Sequence, residues 1–299
     1  MKPPCFVNAT ARERGFTLLE LMLAMAVTAL LLVLLASVAS QGLQNSRQIN
    51  ETVRMQSDAT AALGMIASDL QALAIDVRPI EVLECQAETV RGVNSSWLMG
   101  LSRVYDNPGS NKQQNFGELR AFSYRMAYGD PVTGGTSGNT CVYGLYRKAL
   151  TTGTTRSSIL GAMLANPDQG LSMNYWNQTD ATTGKSNATP GTDDYLVANI
   201  VQFSIAWTYQ VQTTGTNAAT VRITVPFPDS KNNPQSQLRY RRDQCILTTG
   251  ITNARLVKAT INLTLLPEST MRQLNGTQPK DTDVAKGRSF SRDVNFGMP

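Results

Sequence analysis

The sequence predicts an α+β fold: a long N-terminal helix, apolar in its first half and one-faced in its second, packed against an antiparallel β-sheet domain with long loops. Three observations lead there. An unbroken apolar run stands near the N-terminus, and a proline-free stretch with apolar residues at three- and four-residue steps follows it. Beyond Pro79 the pattern turns to short alternating segments separated by polar, glycine-rich stretches. With 299 residues, the chain has ample length for one compact domain after the helix.

From Phe16 to Ala39 the chain reads FTLLELMLAMAVTALLLVLLASVA, and Glu20 is its single charge. As a helix this run is roughly 36 Å long, enough to cross the hydrocarbon core of a bilayer. Lys2, Arg12 and Arg14 precede it, and positive charge beside a span favours the cytoplasmic side. The bulk of the chain is therefore expected in the periplasm or outside the cell. An ordinary secretory signal has a shorter apolar stretch followed by a small-residue cleavage site, whereas here the polar-to-apolar junction is Arg14-Gly15-Phe16. Glu20 is the oddity. A carboxylate costs on the order of 3 kcal/mol at the centre of a span, and less near an end. Such a cost calls for a functional explanation.

The stretch Gly15-Phe16-Thr17-Leu18-Leu19-Glu20 resembles the type III signal of type IV pilins and type II secretion pseudopilins. In that pattern glycine closes the leader and glutamate is the fifth mature residue. The resemblance implies a leader over residues 1–15, a cut between Gly15 and Phe16 by an aspartyl prepilin peptidase, and N-methylation of Phe16. Glycine presents no side chain to obstruct a protease at the membrane surface, and the cut creates an amine beside the span. In pilin filaments the glutamate is placed to meet the N-terminal amine of a neighbouring subunit. Glu20 thus acquires an assembly role, pairing two charges that each helix alone buries unfavourably.

A transmembrane, filament-core helix is expected over residues 16–39, and its amphipathic continuation over 40–78. Ile49, Val53, Ala59, Leu63, Ile66, Leu70 and Leu73 form the apolar stripe, with Arg47, Glu51, Arg54, Asp58 and Asp69 mainly on the wetter side. Ser37 stands where many major pilins carry a helix-kinking proline, which points to a minor subunit. The stripe does not hold a heptad for long, which disfavours a coiled-coil seam.

Residues 79–299 are expected to form a periplasmic β-rich domain. Strands are read at 80–90, 118–127, 141–150, 196–210, 220–225, 256–266 and 289–296, and a long-looped hairpin spans 118–150. The stretches 151–194 and 213–243 are rich in Thr, Gly, Asn, Pro and Ser and read as loops or small decorations, not a second core. The order of elements, with Leu145-Tyr146-Arg147 closing a tyrosine-rich hairpin, then VANIVQFSIAWTY and ARLVKATINLTL, resembles a J-type minor pseudopilin of type II secretion or a W-type minor pilin.

The chain has no histidine, and its 4 cysteines show no CxxC spacing, which disfavours zinc and redox chemistry. Cys5 leaves with the leader. Cys85, Cys141 and Cys245 remain as candidates for one disulfide whose pairing the sequence leaves open. Asp193-Asp194, Asp281 and Asp283 lack the dense oxygen spacing of a calcium loop, so no metal and no cofactor are expected. The net charge of +5 is spread along the chain, with one local cluster at Arg239, Arg241 and Arg242. Nucleic acid is not an expected partner, and neither is a small-molecule substrate.

The function expected is structural, not enzymatic. The chain reads as a minor pilin-like subunit that helps to initiate or cap a type II secretion pseudopilus. The alternatives are a minor pilin of a type IV pilus, acting in assembly, adhesion or DNA uptake, and a pilin-like subunit of another cassette. Its expected partners are the prepilin peptidase, other minor and major pilins or pseudopilins, and the inner membrane.

Overall fold

The computed structural model describes residues 17–75, 81–104, 118–136, 140–166, 170–171, 195–211, 219–225, 237–241, 244–247, 254–274, 277 and 279–296. Helix α1 (Leu18–Gln71) runs unbroken through Ser37 and Gly42. No proline interrupts it, so every turn keeps its backbone hydrogen bonds. Two compact units divide within this helix, Met1–Glu51 and Thr52–Pro299.

In the second unit, Met55, Ala59, Ala62, Leu63, Ile66, Ala67 and Leu70 form the buried stripe of α1. Steps of three and four place them on one face, and the alanines let the backbone approach the sheet closely. The stripe starts later than the sequence suggested. Ile49 and Val53 are 61% and 59% exposed.

Asp69 also departs from expectation. Instead of facing water it lies half-buried between helix and sheet, because two sheet residues neutralise it. Tyr124 Oη donates to its Oδ2 at 2.6 Å. Arg147 donates from Nε to Oδ2 at 2.9 Å and from Nη2 to Oδ1 at 3.1 Å. Arg147 Nε also reaches Tyr124 Oη at 3.1 Å. Burial and the adjacent Asp69 charge push the Tyr124 hydroxyl well above its usual range, so it stays a donor.

The sheet is mixed and curled around this helix face. Its strands are β1 (Glu81–Val90), β2 (Val93–Val104), β3 (Glu118–Gly129), β4 (Val142–Ala149), β5 (Tyr195–Ala198), β6 (Ile200–Val211), β7 (Ala219–Val225), β8 (Gln237–Arg241), β9 (Gln244–Leu247), β10 (Ala254–Leu265) and β11 (Arg288–Asn295). One path runs β11-β10-β6-β2-β1-β8-β9; β3, β4 and β5 continue from β2, and β7 flanks β6. All the pairings are antiparallel except the contact of Ser95 with Phe203, which joins β2 to β6 in parallel. The expected hairpin between β3 and β4 is present, with Gly129 opposite Val142.

The sequence reading missed β2. Its start, Asn94-Ser95-Ser96, looks like a turn, and its second half shows no alternation because both faces are covered. Leu98 faces the main core beneath α1, while Trp97, Met99 and Leu101 face away. The β1–β2 turn is tight, with Arg91 and Gly92 at φ 46° and 83°, the positive values that a two-residue hairpin demands.

The far face carries a second, smaller core, which corrects the reading of 151–194 as loops without one. Residues 152–165 are helical, with a π-turn at Thr155–Leu160. Thr151 caps the run by accepting the Thr154 N–H at 3.2 Å. Ile159, Met163 and Leu171 pack on Trp97, Met99, Leu101, Ala121 and Leu150. Likewise β8 and β9 lie inside the other supposed loop, 213–243, and just after it. There the charges of Gln-Leu-Arg-Tyr-Arg hid a strand whose Leu238 and Tyr240 are buried.

Arg147→Ala is expected to destabilise the folded domain by roughly 3 kcal/mol, because it strands a half-buried carboxylate. Asp69→Leu combined with Arg147→Met should recover most of that loss. Urea denaturation of the three proteins followed by tyrosine fluorescence checks both statements.

Candidate functional site

The residues that the sequence marks for processing lie at the start of the chain. Gly15 and Phe16 fall outside the described residues, and description begins at Thr17. Thr17 and Glu20 form a reciprocal cap on the first turn of α1. The Thr17 N–H donates to Glu20 Oε2 at 2.9 Å, and the Thr17 hydroxyl to the same oxygen at 3.1 Å. In return, Thr17 Oγ1 accepts the Glu20 N–H at 3.3 Å. This is a capping box, in which threonine at the cap and glutamate three residues later satisfy backbone donors that the helix leaves open.

Thr17 was not singled out from the sequence, although Thr-Leu-Leu-Glu ahead of an apolar run is the signature of such a box. The box gives Glu20 a local partner near the end of the span, which lowers the cost of placing a carboxylate there. Both bonds fall on Oε2, so Oε1 is not engaged by the box.

Beyond it, α1 is apolar on every side. Leu18, Leu19, Met22, Met25, Leu30, Val33 and Val38 are all exposed. Its most apolar window has a mean hydropathy of 2.7 and is 0% buried. A helix apolar all round belongs inside a membrane or among other helices, because no one-sided contact covers it.

Residues 10–36 match the family model of the prokaryotic N-terminal methylation motif. The chain carries a prepilin-type methylation motif at its N-terminus. Its long apolar helix and curled sheet are consistent with the α+β fold of pilin-like proteins. Among solved structures, the type IV-like pilin TTHA1219 from Thermus thermophilus aligns over 81% of this chain and 95% of its own, at 9% identity and a TM-score of 0.32. No curated protein matches the sequence.

The other residues marked in the sequence are scattered. Cys85 and Cys141 are both buried and both free thiols. Cys245 sits in β9, but its side chain lies outside the described residues. The expected bridge is thus not among the contacts the structure records. Burial pushes the Cys85 thiol up to about 12.

Within the basic cluster, Arg239 is turned inward to Glu81, with Nη2 at 2.6 Å from Oε2, and Arg241 is only partly exposed. Arg242, Asp193 and Asp194 lie outside the described residues. Asp283 accepts from Lys280 N and Lys286 Nζ, both at 3.2 Å, and these bonds hold its carboxyl below the usual range.

A cavity of about 800 Å³ opens beside Tyr128, Asp130, Cys141, Tyr143 and Met271. The Asp130 carboxylate there is committed. It accepts the Val132 N–H at 2.8 Å and the hydroxyls of Thr133 at 2.8 Å and Thr140 at 2.9 Å, which lowers its carboxyl to about 2.

Iodoacetamide at about pH 8 is expected to leave Cys85 unmodified in the folded chain and to alkylate it fully after denaturation. Peptide mass mapping before and after unfolding reads the difference.

Proposed function

We propose that this pilin-like chain is a minor structural subunit that helps to initiate or cap a type II secretion pseudopilus. Prepilin peptidase removes residues 1–15, Phe16 becomes the methylated N-terminus, and Glu20 contributes to docking. The observation that carries this reading is a capped carboxylate one turn inside a helix whose apolar surface is exposed all round. Such a surface is stable only in a membrane or among like helices. Glu20 Oε1 remains to receive the amine of a neighbouring subunit while Oε2 keeps the helix cap.

The folded domain then selects neighbours, and the chemistry of processing belongs to partners. The uninterrupted helix at Ser37 favours a scarce component over the bulk filament protein. The same features suit a minor pilin of a type IV pilus or a pilin-like subunit of another cassette. DNA contact through the 239–242 cluster is disfavoured, since Glu81 holds Arg239.

Co-expression with a prepilin peptidase is expected to remove fifteen residues, a length set by the Gly15–Phe16 junction, and to add a methyl group to Phe16. Gly15→Ala should slow the cut; processing unchanged by that substitution would count against the assigned junction. Glu20→Ala should leave cleavage intact but reduce incorporation roughly tenfold, equivalent to about 1.4 kcal/mol. Normal assembly of this variant would remove the role given to Glu20. Crosslinking the wild-type chain in cells that hold both filament systems identifies the host machine by which major subunit is captured.

A further inference from the structure

The proposed role makes no use of the cavity beside the β3–β4 hairpin. Its volume of about 800 Å³ falls within the roughly 300–1,000 Å³ of small-molecule sites. Tyr128, Val142, Met271 and Leu274 give it apolar walls. Tyr128 and Tyr143 stand opposite each other in the strand register with their rings edge to face at 4.9 Å, and the short helix Glu268–Leu274 contributes Met271 and Leu274. The lining is drawn from residues scattered between Tyr128 and Thr277, which form no motif, so no small-molecule partner was expected from the sequence.

The threonines and the cysteine of the lining share one property: their protons are spent inside the protein. The hydroxyls of Thr133 and Thr140 donate to Asp130 Oδ2 at 2.8 and 2.9 Å. That of Thr277 donates to the Leu274 carbonyl at 2.6 Å, and the Cys141 thiol to the Gly135 carbonyl at 3.4 Å. A hydroxyl has one proton and two lone pairs, so toward an occupant these threonines can only accept. The Val132 N–H first, then the hydroxyls of Thr133 and Thr140, hold the Asp130 carboxyl down at about 2, so it stays ionised and fixes this polarity. Glu268 and Arg272, also in the lining, pair with each other at 2.5 Å and cancel in charge. Arg91 stands over the Tyr128 ring at 4.0 Å but donates to the Thr136 carbonyl and is not part of the lining.

Tyr143 is the exception among these groups. It lines the cavity, is 1% exposed, and its hydroxyl has no hydrogen-bond partner among the described residues. Burial pushes that hydroxyl above its usual range, so it keeps its proton and its lone pairs together. Folded proteins rarely leave a buried hydroxyl unpaired, and one in a cavity wall is suited to a ligand's polar group.

We propose that this cavity binds a small organic amine, an apolar or aromatic body that carries a primary ammonium group. The body lies against Tyr128, Val142 and Met271, and the N–H groups meet the acceptors of Tyr143 and the threonines. An ammonium supplies three donors and no acceptor, the complement of a wall whose hydroxyl protons are already committed. An organic anion is refused, because the threonines have no proton to give it and the Asp130 charge repels it.

Calorimetric titration of the full chain in nonionic detergent micelles, with empty micelles as the blank, tests the site. The probes are tryptamine and indole-3-propionate, which carry the same ring with an ammonium and a carboxylate respectively. Tryptamine is expected to bind saturably and at least roughly tenfold more tightly than indole-3-propionate. Tyr143→Phe should weaken tryptamine binding roughly fivefold, and Thr140→Val roughly threefold, each by removing one polar partner. Absence of saturable tryptamine binding above the blank would overturn the proposal, as would equal binding of the two probes. Tryptamine affinity unchanged in a Tyr143→Phe variant that melts like the wild type would overturn it as well. If Tyr143→Phe does not fold, Thr140→Val decides, and undiminished affinity in that variant overturns the site.

Discussion

The attachment of helix to sheet turns on Asp69. An apolar stripe alone lets a helix slide or rotate by part of a turn with little change in buried area, because the hydrophobic effect has no direction. A half-buried carboxylate does not allow this, since it must keep its donors. Tyr124 comes from β3 and Arg147 from β4, so one side chain of α1 fixes two strands of the sheet relative to the helix. The stripe from Met55 to Leu70 supplies the larger share of the stabilisation, and the charge sets its register. Buried ion pairs are weak contributors to stability but good selectors of geometry when every polar atom is matched, as it is for both oxygens of Asp69.

Around that contact the sheet acts as a partition between two cores. β2 is its centre, since it bonds to β1, β3 and β6. Along its middle, Leu98 serves the larger core, while Trp97, Met99 and Leu101 serve the smaller. Trp97 shows how the two sides are joined without leaving a polar atom stranded. Its indole N–H donates to Ser123 Oγ at 2.8 Å while Arg125 lies over its ring, itself paired with Glu88.

How much of this was legible follows from what each element buries. The amphipathic end of α1 and strands such as β6 and β10 were readable because one face is apolar and the period is visible. β2 was not, because a strand covered on both faces loses its alternation. β8 was not, because Arg239 and Arg241 masked the apolar pair between them. The helical run 152–165 was hidden by its composition: Thr155 is buried as a hydrogen-bonding anchor, a role no hydropathy pattern reports. At the N-terminus the motif was legible as chemistry, from glycine, phenylalanine and glutamate in order. The cap that Thr17 builds with Glu20 was equally present in the letters, as a threonine three residues ahead of a glutamate at the start of an apolar run.

That cap has a consequence for maturation. All of its atoms belong to Thr17 and Glu20, so the cap lies wholly on one side of the Gly15–Phe16 junction. On the proposed cut between Gly15 and Phe16, the cap would stay whole in the mature chain. Under that proposal the protease works beside a helix start already closed by its own side chains, and the product keeps the Thr17–Glu20 cap of the precursor.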